Sequence, residues 1–314
     1  MAERNHLLSD GLLVMALIML GKVTAFARDA VFSAQYGVSA EMDAFFVASN
    51  VPNLVFSAFF ASVGIVFLPV FNRVRIEQGE EASEKFAGKV LFTYAMIALA
   101  LSALCILQAR FFVVGMAPSL APETTLLAIR LTRILCASFV FSTLAGILST
   151  ILQAQRRYMG PQLIPTLNNV LTALVVIFLA ARFGIYAAAY GALAAWALQV
   201  PFQAAFLRGR FAFRPSLRLR DPHLATMARL FLPVLISVSL DQAYIFTDNF
   251  LGSRLPAGNI SALNYAQRLL SVASGTFVLA VTTITYPVFT EYIVRKEFDR
   301  LNLAVSRCSA PSCW

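Results

Sequence analysis

Residues 161–207 read PQLIPTLNNVLTALVVIFLAARFGIYAAAYGALAAWALQVPFQAAFL. The two apolar runs in this stretch, 161–182 and 185–207, each reach the roughly 17–25 residues that an α-helix needs to cross a bilayer. They meet at Arg182-Phe183-Gly184, a connection short enough to force two antiparallel neighbours. The stretch therefore predicts a membrane-spanning helical hairpin, and the rest of the chain extends the pattern. Comparable segments lie near 10–32, 44–70, 90–115 and 125–152 before it, and near 227–250 and 261–290 after it. The composition agrees, being 59% hydrophobic and only 13% charged, where soluble domains run about 45–50% and about 25%. The expected class is an all-α, polytopic membrane protein with about eight transmembrane helices.

The formal net charge of +9 invites a nucleic-acid partner, but the basic residues sit between apolar runs and not on one patch. Their distribution instead sets orientation. Connections after even segments carry Arg73, Arg75, Lys85, Lys89, Arg156, Arg157, the arginines of 208–220, and Arg295, Lys296, Arg300 and Arg307. Connections after odd segments hold little beyond Arg110, Arg182 and Arg254. The even side and the N-terminus are expected to be cytoplasmic. No cleavable signal peptide is expected, because the first apolar run is long and contains Lys22 and Arg28.

Catalytic chemistry has no foothold in the sequence. His6 and His223 lie outside the apolar segments, Cys105, Cys136, Cys308 and Cys313 lack metal spacing, and no glycine-rich phosphate loop occurs. No cofactor is expected, and any transport would have to be driven by an ion gradient, the membrane potential or the substrate gradient.

The stretch 208–224, RGRFAFRPSLRLRDPHL, is basic, contains prolines and reads as a cytoplasmic linker between a six-helix lobe (1–207) and two further helices (225–292). Shifting the chain on itself by 218 residues lays Ala44-Phe45-Phe46-Val47-Ala48 on Ala262-Leu263-Asn264-Tyr265-Ala266, and Pro69-Val70-Phe71 on Pro287-Val288-Phe289. With one gap, Arg28-Asp29-Ala30 falls on Thr247-Asp248-Asn249. With six helices between the copies, both point the same way, which predicts a parallel repeat about an axis along the membrane normal. The tail 293–314 is amphipathic and brings no ninth span, so the chain reads as shortened relative to this architecture.

Ionisable side chains at membrane depth are costly, so they mark cavities or partners. Lys22 and Asp29, seven apart, share a helix face, and Arg28 is turned about 100° from Asp29. A structural reading makes Arg28-Asp29 the outer helix end with Lys22 snorkelling; a cavity-facing cation suits the depth of Lys22 better. Asp43 opens the second segment as an N-cap or charge partner. Asn50 and Asn53 lie on one face beside Pro52, to line a ligand site or pack against a neighbour. Asp241, Tyr244 and Asp248 form one stripe of the seventh segment, a cation site, a proton relay or simple partners for arginines such as Arg268. Arg130 and Arg133 read as snorkelling to the outer interface.

The stretch GKVTAFARDAVFSAQYGVSAEMDAFFVASNVPNL (21–54) resembles the opening of the MurJ/MviN-type lipid II flippases, in the multidrug/oligosaccharidyl-lipid/polysaccharide exporter superfamily. NISALNYAQRLLSVASGTFVLAVTTITYPVF (259–289) resembles their eighth helix. The resemblance implies two six-helix lobes and two more helices around a cationic cavity, in the bacterial inner membrane. It implies flipping of an undecaprenyl-pyrophosphate-linked peptidoglycan precursor from the cytoplasmic to the outer leaflet by alternating access. It implies site roles for Lys22, Arg28, Asp29, Asp43 and Arg268, with a pyrophosphate as the bound anion. Partners would be the lipid-linked glycan, membrane lipids, a monovalent coupling cation at Asp241 and Asp248, and proteins of cell-envelope synthesis. One departure stands out: where many members carry an arginine pair, this chain has Phe56-Ser57. A flippase for another lipid-linked oligosaccharide, a cation-coupled drug antiporter of the same superfamily and a non-transporting scaffold remain as rivals.

Overall fold

The computed structural model describes residues 2–155, 157–208 and 222–271. Among them no strand occurs, and the expected all-α class holds. The helices are α1 (Ala2–Tyr36), α2 (Ala40–Ser62), α3 (Leu68–Gln78), α4 (Glu80–Leu107), α5 (Ala109–Met116), α6 (Pro122–Ala154), α7 (Met159–Phe183), α8 (Tyr186–Leu207) and α9 (Pro222–Gly252). Helix resumes over 259–271. By length and composition α4, α6, α7 and α9 are apolar enough to cross a membrane. The other expected spans fall on α1, on α2 with α3, on α8, and on the helix from 259. Most of the linker 208–224, the end of the eighth segment, the tail 293–314, Cys308 and Cys313, and the match at Pro287-Val288-Phe289 lie outside the described residues.

Two spans are less regular than their hydropathy suggests. The second continues through Pro52, then passes through a π-helical turn at Val63–Phe67 before α3. Such turns add a residue to the helical ladder and bend it. The third breaks at Gln108, which separates α4 from α5.

Residues 1–265 form one compact unit and 266–314 a second, of which 266–271 are described and helical. In the first unit, α6 lies at the centre, packed against α2, α4 and α8, while α1 packs on α7. Small residues set these close approaches, as expected where lipid supplies no hydrophobic drive between helices. A Cβ on Gly191 of α8 would lie 3.1 Å from Val175 Cβ and 3.3 Å from the Thr172 carbonyl oxygen of α7, so glycine sets how near these helices come. Aromatic rings tie α2, α4 and α6 together. Phe56 stacks on Phe139 at 3.7 Å between centroids, and Phe59 meets Tyr94 at 4.7 Å. Phe56 is 3% exposed and thus part of the packed core.

The predicted α7–α8 hairpin is present, turning at Gly184 with φ +56°. Its carbonyl accepts a 3.0 Å hydrogen bond from the Tyr36 hydroxyl, which anchors the end of α1 to the turn. Burial, with Glu41 nearby, pushes the Tyr36 phenol up to about 12, so it remains a donor at neutral pH.

Candidate functional site

Two polar networks cross the interior of the first unit, and each joins elements far apart in sequence. The first begins with Arg28 and Asp29 on α1. The Arg28 guanidinium donates through Nε and Nη2 to Asp29 Oδ1, at 3.0 and 2.8 Å. Its Nη1 donates to Asn169 Oδ1 on α7 at 2.8 Å. Asn169 donates in turn to the Gly21 carbonyl at 3.1 Å. The Arg28 and Asp29 side chains are 20% and 14% exposed, so the pair is largely withdrawn from its surroundings. Its net charge is zero, and three of the guanidinium's directions are already used. The guanidinium also lies 5.8 Å from the centroid of Phe32. Arg28 is therefore held in place by α1 and α7 together.

Lys22, on the same helix, differs. It is partly buried and, among the described residues, makes no hydrogen bond or ion pair. Among the described side chains of α1, Lys22 is thus a cation without a counter-charge, while Arg28 is electrically satisfied by Asp29. An ammonium in this setting favours an anion as its counter-charge.

The second network begins with Asp43. Its expected role as N-cap of its own helix belongs instead to Ser39, whose Oγ accepts from Met42 N at 3.2 Å. Asp43 sits four residues further in than Ser39 and is 2% exposed. Its Oδ2 accepts from Gly258 N, and its Oδ1 from Ser261 N, both at 2.6 Å. Gly258 immediately precedes the helix that starts at 259, and Ser261 lies in its first turn. Asp43 thus caps that helix across 215–218 residues of sequence, placing a carboxylate at the positive end of its dipole.

Gly258 fits this capped turn for a steric reason. Its φ is +96°, and an added Cβ would lie 2.8 Å from Val38 Cγ1 and 3.3 Å from the Val38 carbonyl oxygen. Gly258→Ala is expected to destabilise the fold by about 2 kcal/mol, the order of cost for a side chain in left-handed backbone. The melting temperature in detergent should fall by roughly 4–8 °C. An unchanged melting curve would mean that the turn is not held in this conformation.

The remaining expected site residues are less concentrated. Asn50 donates to Asn249 Oδ1 of α9 at 3.4 Å, and Asn249 donates to the Ile245 carbonyl at 2.7 Å. Asn53, three residues on, is exposed and does not join that contact. Asp248 is partly buried on α9, and the side chain of Asp241 lies outside the described residues. Arg268 belongs to the second unit, on the helix 259–271. The sequence had not singled out Asn169, Asn249, Gly258 or Ser261. The adjacent amides Asn168-Asn169 in an otherwise apolar run were the one available signal for the first.

A profile described as the lipid II flippase MurJ matches residues 32–308. The chain belongs to the MurJ family. Among relatives, it is 28% identical over 287 residues to a lipid II flippase MurJ of Burkholderia cenocepacia, covering 88% of this chain and 55% of that one. It is 24% identical over 311 residues to a probable lipid II flippase MurJ of Vibrio cholerae, covering 94% and 58%. Its fold superposes on a solved lipid II flippase MurJ in an inward closed conformation with a TM-score of 0.77, at 24% identity, over 92% of this chain and 60% of that one. An inward-facing multidrug resistance MATE family transporter of the MOP superfamily gives 0.69 at 17% identity, covering 90% and 64%. The fold is thus shared with both of these solved structures. The chain spans less than three fifths of the length of these two MurJ relatives.

Proposed function

We propose that this chain carries the first lobe, and the opening of the second, of a flippase that moves an undecaprenyl-pyrophosphate-linked peptidoglycan precursor from the inner to the outer leaflet. The observation that carries this reading is Lys22, a partly buried cation on a membrane helix without a protein counter-ion among the described residues. A pyrophosphate supplies the missing negative charge, and the polyprenyl tail can stay in the lipid while the headgroup crosses. In this reading Arg28, fixed by Asp29 and Asn169, positions α1, and Arg268 adds a second cation from the eighth segment. Asn50 and Asn53 offer amides to the glycan, and Asp241 and Asp248 serve a coupling monovalent cation. The N-terminus is cytoplasmic, so the basic connections face the compartment where the precursor is made.

The Asp43 contact supports the two-lobed arrangement. Asp43 and Ser261 are separated by 218 residues, the same offset that superposes the two repeats in sequence. Equivalent residues of two copies touch only beside the axis that relates them. Asp43 would then latch one lobe to the other near that axis, and its release would accompany alternating access.

The test is reconstitution of the full gene product in proteoliposomes that contain a fluorescent lipid II analogue. Headgroups should move out of reach of a membrane-impermeant quencher in a protein-dependent manner. If the analogue stays put while a cationic dye is expelled against a sodium or proton gradient, the protein is an antiporter and the flippase reading is wrong.

A further inference from the structure

Two thiols meet in the interior of the first unit, outside both polar networks. Cys105 of α4 and Cys136 of α6 are 1% and 0% exposed, are not joined as a disulfide, and hydrogen-bond to each other through their side chains. A separate contact fixes the same spot. Ser102, one turn before Cys105, donates from Oγ to the Cys136 carbonyl at 2.8 Å. Ala98, Ser102 and Cys105 make a buried face of small side chains on α4, which lets α6 come close. As successive spans the two helices run in opposite directions, and each Cα–Cβ bond tilts toward the N-terminus of its own helix. The Cys105 and Cys136 side chains therefore lean toward each other from the two sides of the contact.

A single buried cysteine serves as a small hydrophobe, a role that alanine fills nearly as well. A facing pair can also react with itself, and the surroundings choose the reaction. A metal ion held by two thiolates would need their charge at a buried place, which is costly. No third His, Cys, Asp or Glu completes a metal site there among the described residues. A disulfide is neutral and replaces two neutral thiols, so it forms without burying charge. It also asks for backbones that lie close together, which the small face of α4 supplies.

We propose that Cys105 and Cys136 form an oxidation site, which a small uncharged oxidant of the hypohalous acid class converts into a disulfide that staples α4 to α6. One thiol attacks the chlorine of hypochlorous acid, giving a sulfenyl chloride and water. The second thiol then displaces chloride, forms the S–S bond and releases its proton. The two sulfurs lose two electrons in all, and the chlorine gains them. Peroxide attacks thiolates, which buried cysteines do not present. Hypochlorous acid is neutral, enters a bilayer and reacts with the protonated thiol, so burial does not silence this pair toward it. The bond would join α6, at the centre of the first unit, to α4 just before the break at Gln108. By closing the stretch 105–136 it would restrain the unfolded chain and raise stability. The inference does not depend on what the protein transports.

The test treats the full gene product, reconstituted in vesicles, with hypochlorous acid at a dose that converts the exposed Met159 to its sulfoxide. The protein is then unfolded, its remaining thiols are alkylated, and its peptides are mapped by mass spectrometry. Most molecules should yield the Cys105 and Cys136 peptides joined, lighter by two hydrogens than the separate pair and parted again by a phosphine reductant. The oxidised protein should melt roughly 5–10 °C above the reduced one, the shift expected when a bond closes a loop of this size. Cys105→Ser, which keeps the size of the side chain, should abolish both the joined peptides and the rise in melting temperature. Recovery of both cysteines as alkylated thiols after Met159 is fully oxidised would overturn the proposal. Conversion of either to a sulfonic acid without a link would overturn it too, because the sulfurs would then lie out of bonding reach. A link that leaves the melting temperature unchanged would remove the staple.

Discussion

Lys22→Ala is expected to lower headgroup translocation by roughly tenfold to a hundredfold, the equivalent of losing one charge-assisted hydrogen bond of about 1.5–3 kcal/mol. Its melting temperature should stay within about 2 °C of the parent, because among the described residues Lys22 has no hydrogen bond or ion pair to lose. Lys22→Arg should recover most of the activity, since it restores the charge at the same depth. Arg28→Ala provides the contrast. It strips the guanidinium donors from two largely buried acceptors, Asp29 Oδ1 and Asn169 Oδ1. That loss is worth about 2–3 kcal/mol of stability, discounted from a fully buried pair because both side chains keep some exposure. Arg28→Ala should thus lose activity and melting temperature together, and Lys22→Ala activity alone. Parental flipping by Lys22→Ala would remove the cation from the transport mechanism.

Asp43→Ala should cause the largest loss of stability. Both carboxylate oxygens are committed to buried backbone N–H groups, of Gly258 and Ser261, and no water can reach a side chain that is 2% exposed. Truncating a buried, charge-assisted acceptor of this kind costs about 3 kcal/mol or more, most of it from the two donors left without partners. The midpoint of thermal unfolding in detergent should fall by roughly 6–12 °C. Asp43→Asn keeps the shape and one acceptor oxygen, so it should fall about half as far. Helix 259–271 should also exchange its first amides faster in Asp43→Ala, as an uncapped helix end frays. If Asp43→Ala melts with the parent and protects those amides equally, the carboxylate does not cap that helix.

Much of the fold was legible in the sequence. The run 161–207 announces its hairpin because a chain in hydrocarbon must satisfy its own backbone, and only helices of a set length do so from local residues. Gly184 marks the turn for an equally local reason, its backbone angle. The charges on α1 were visible at membrane depth, since insertion cost depends on residue type and position along one helix. The π turn at Val63–Phe67 and the break at Gln108 were not visible, because each replaces one local hydrogen-bond pattern by another without altering hydropathy.

The site was legible only as a set of residue types. Arg28 and Asp29 sit next to each other in the chain, yet what fixes their geometry is Asn169, 141 residues away from Arg28. Asp43 carried the marks of a helix cap, and it is one, but for a helix that begins more than two hundred residues later. A capping side chain is recognised by its chemistry, whereas the helix it caps is chosen by which N-terminus is brought within reach. By itself, then, the sequence determined the helical membrane class, the α7–α8 hairpin and which apolar segments carry cations, all of which depend on hydrophobic length and residue type. Only the tertiary structure decided that Arg28 is neutralised while Lys22 is not, and that Asp43 ties α2 to the eighth segment. Those outcomes turn on distances of about 3 Å between side chains on different helices, and helix packing sets such distances where hydropathy cannot.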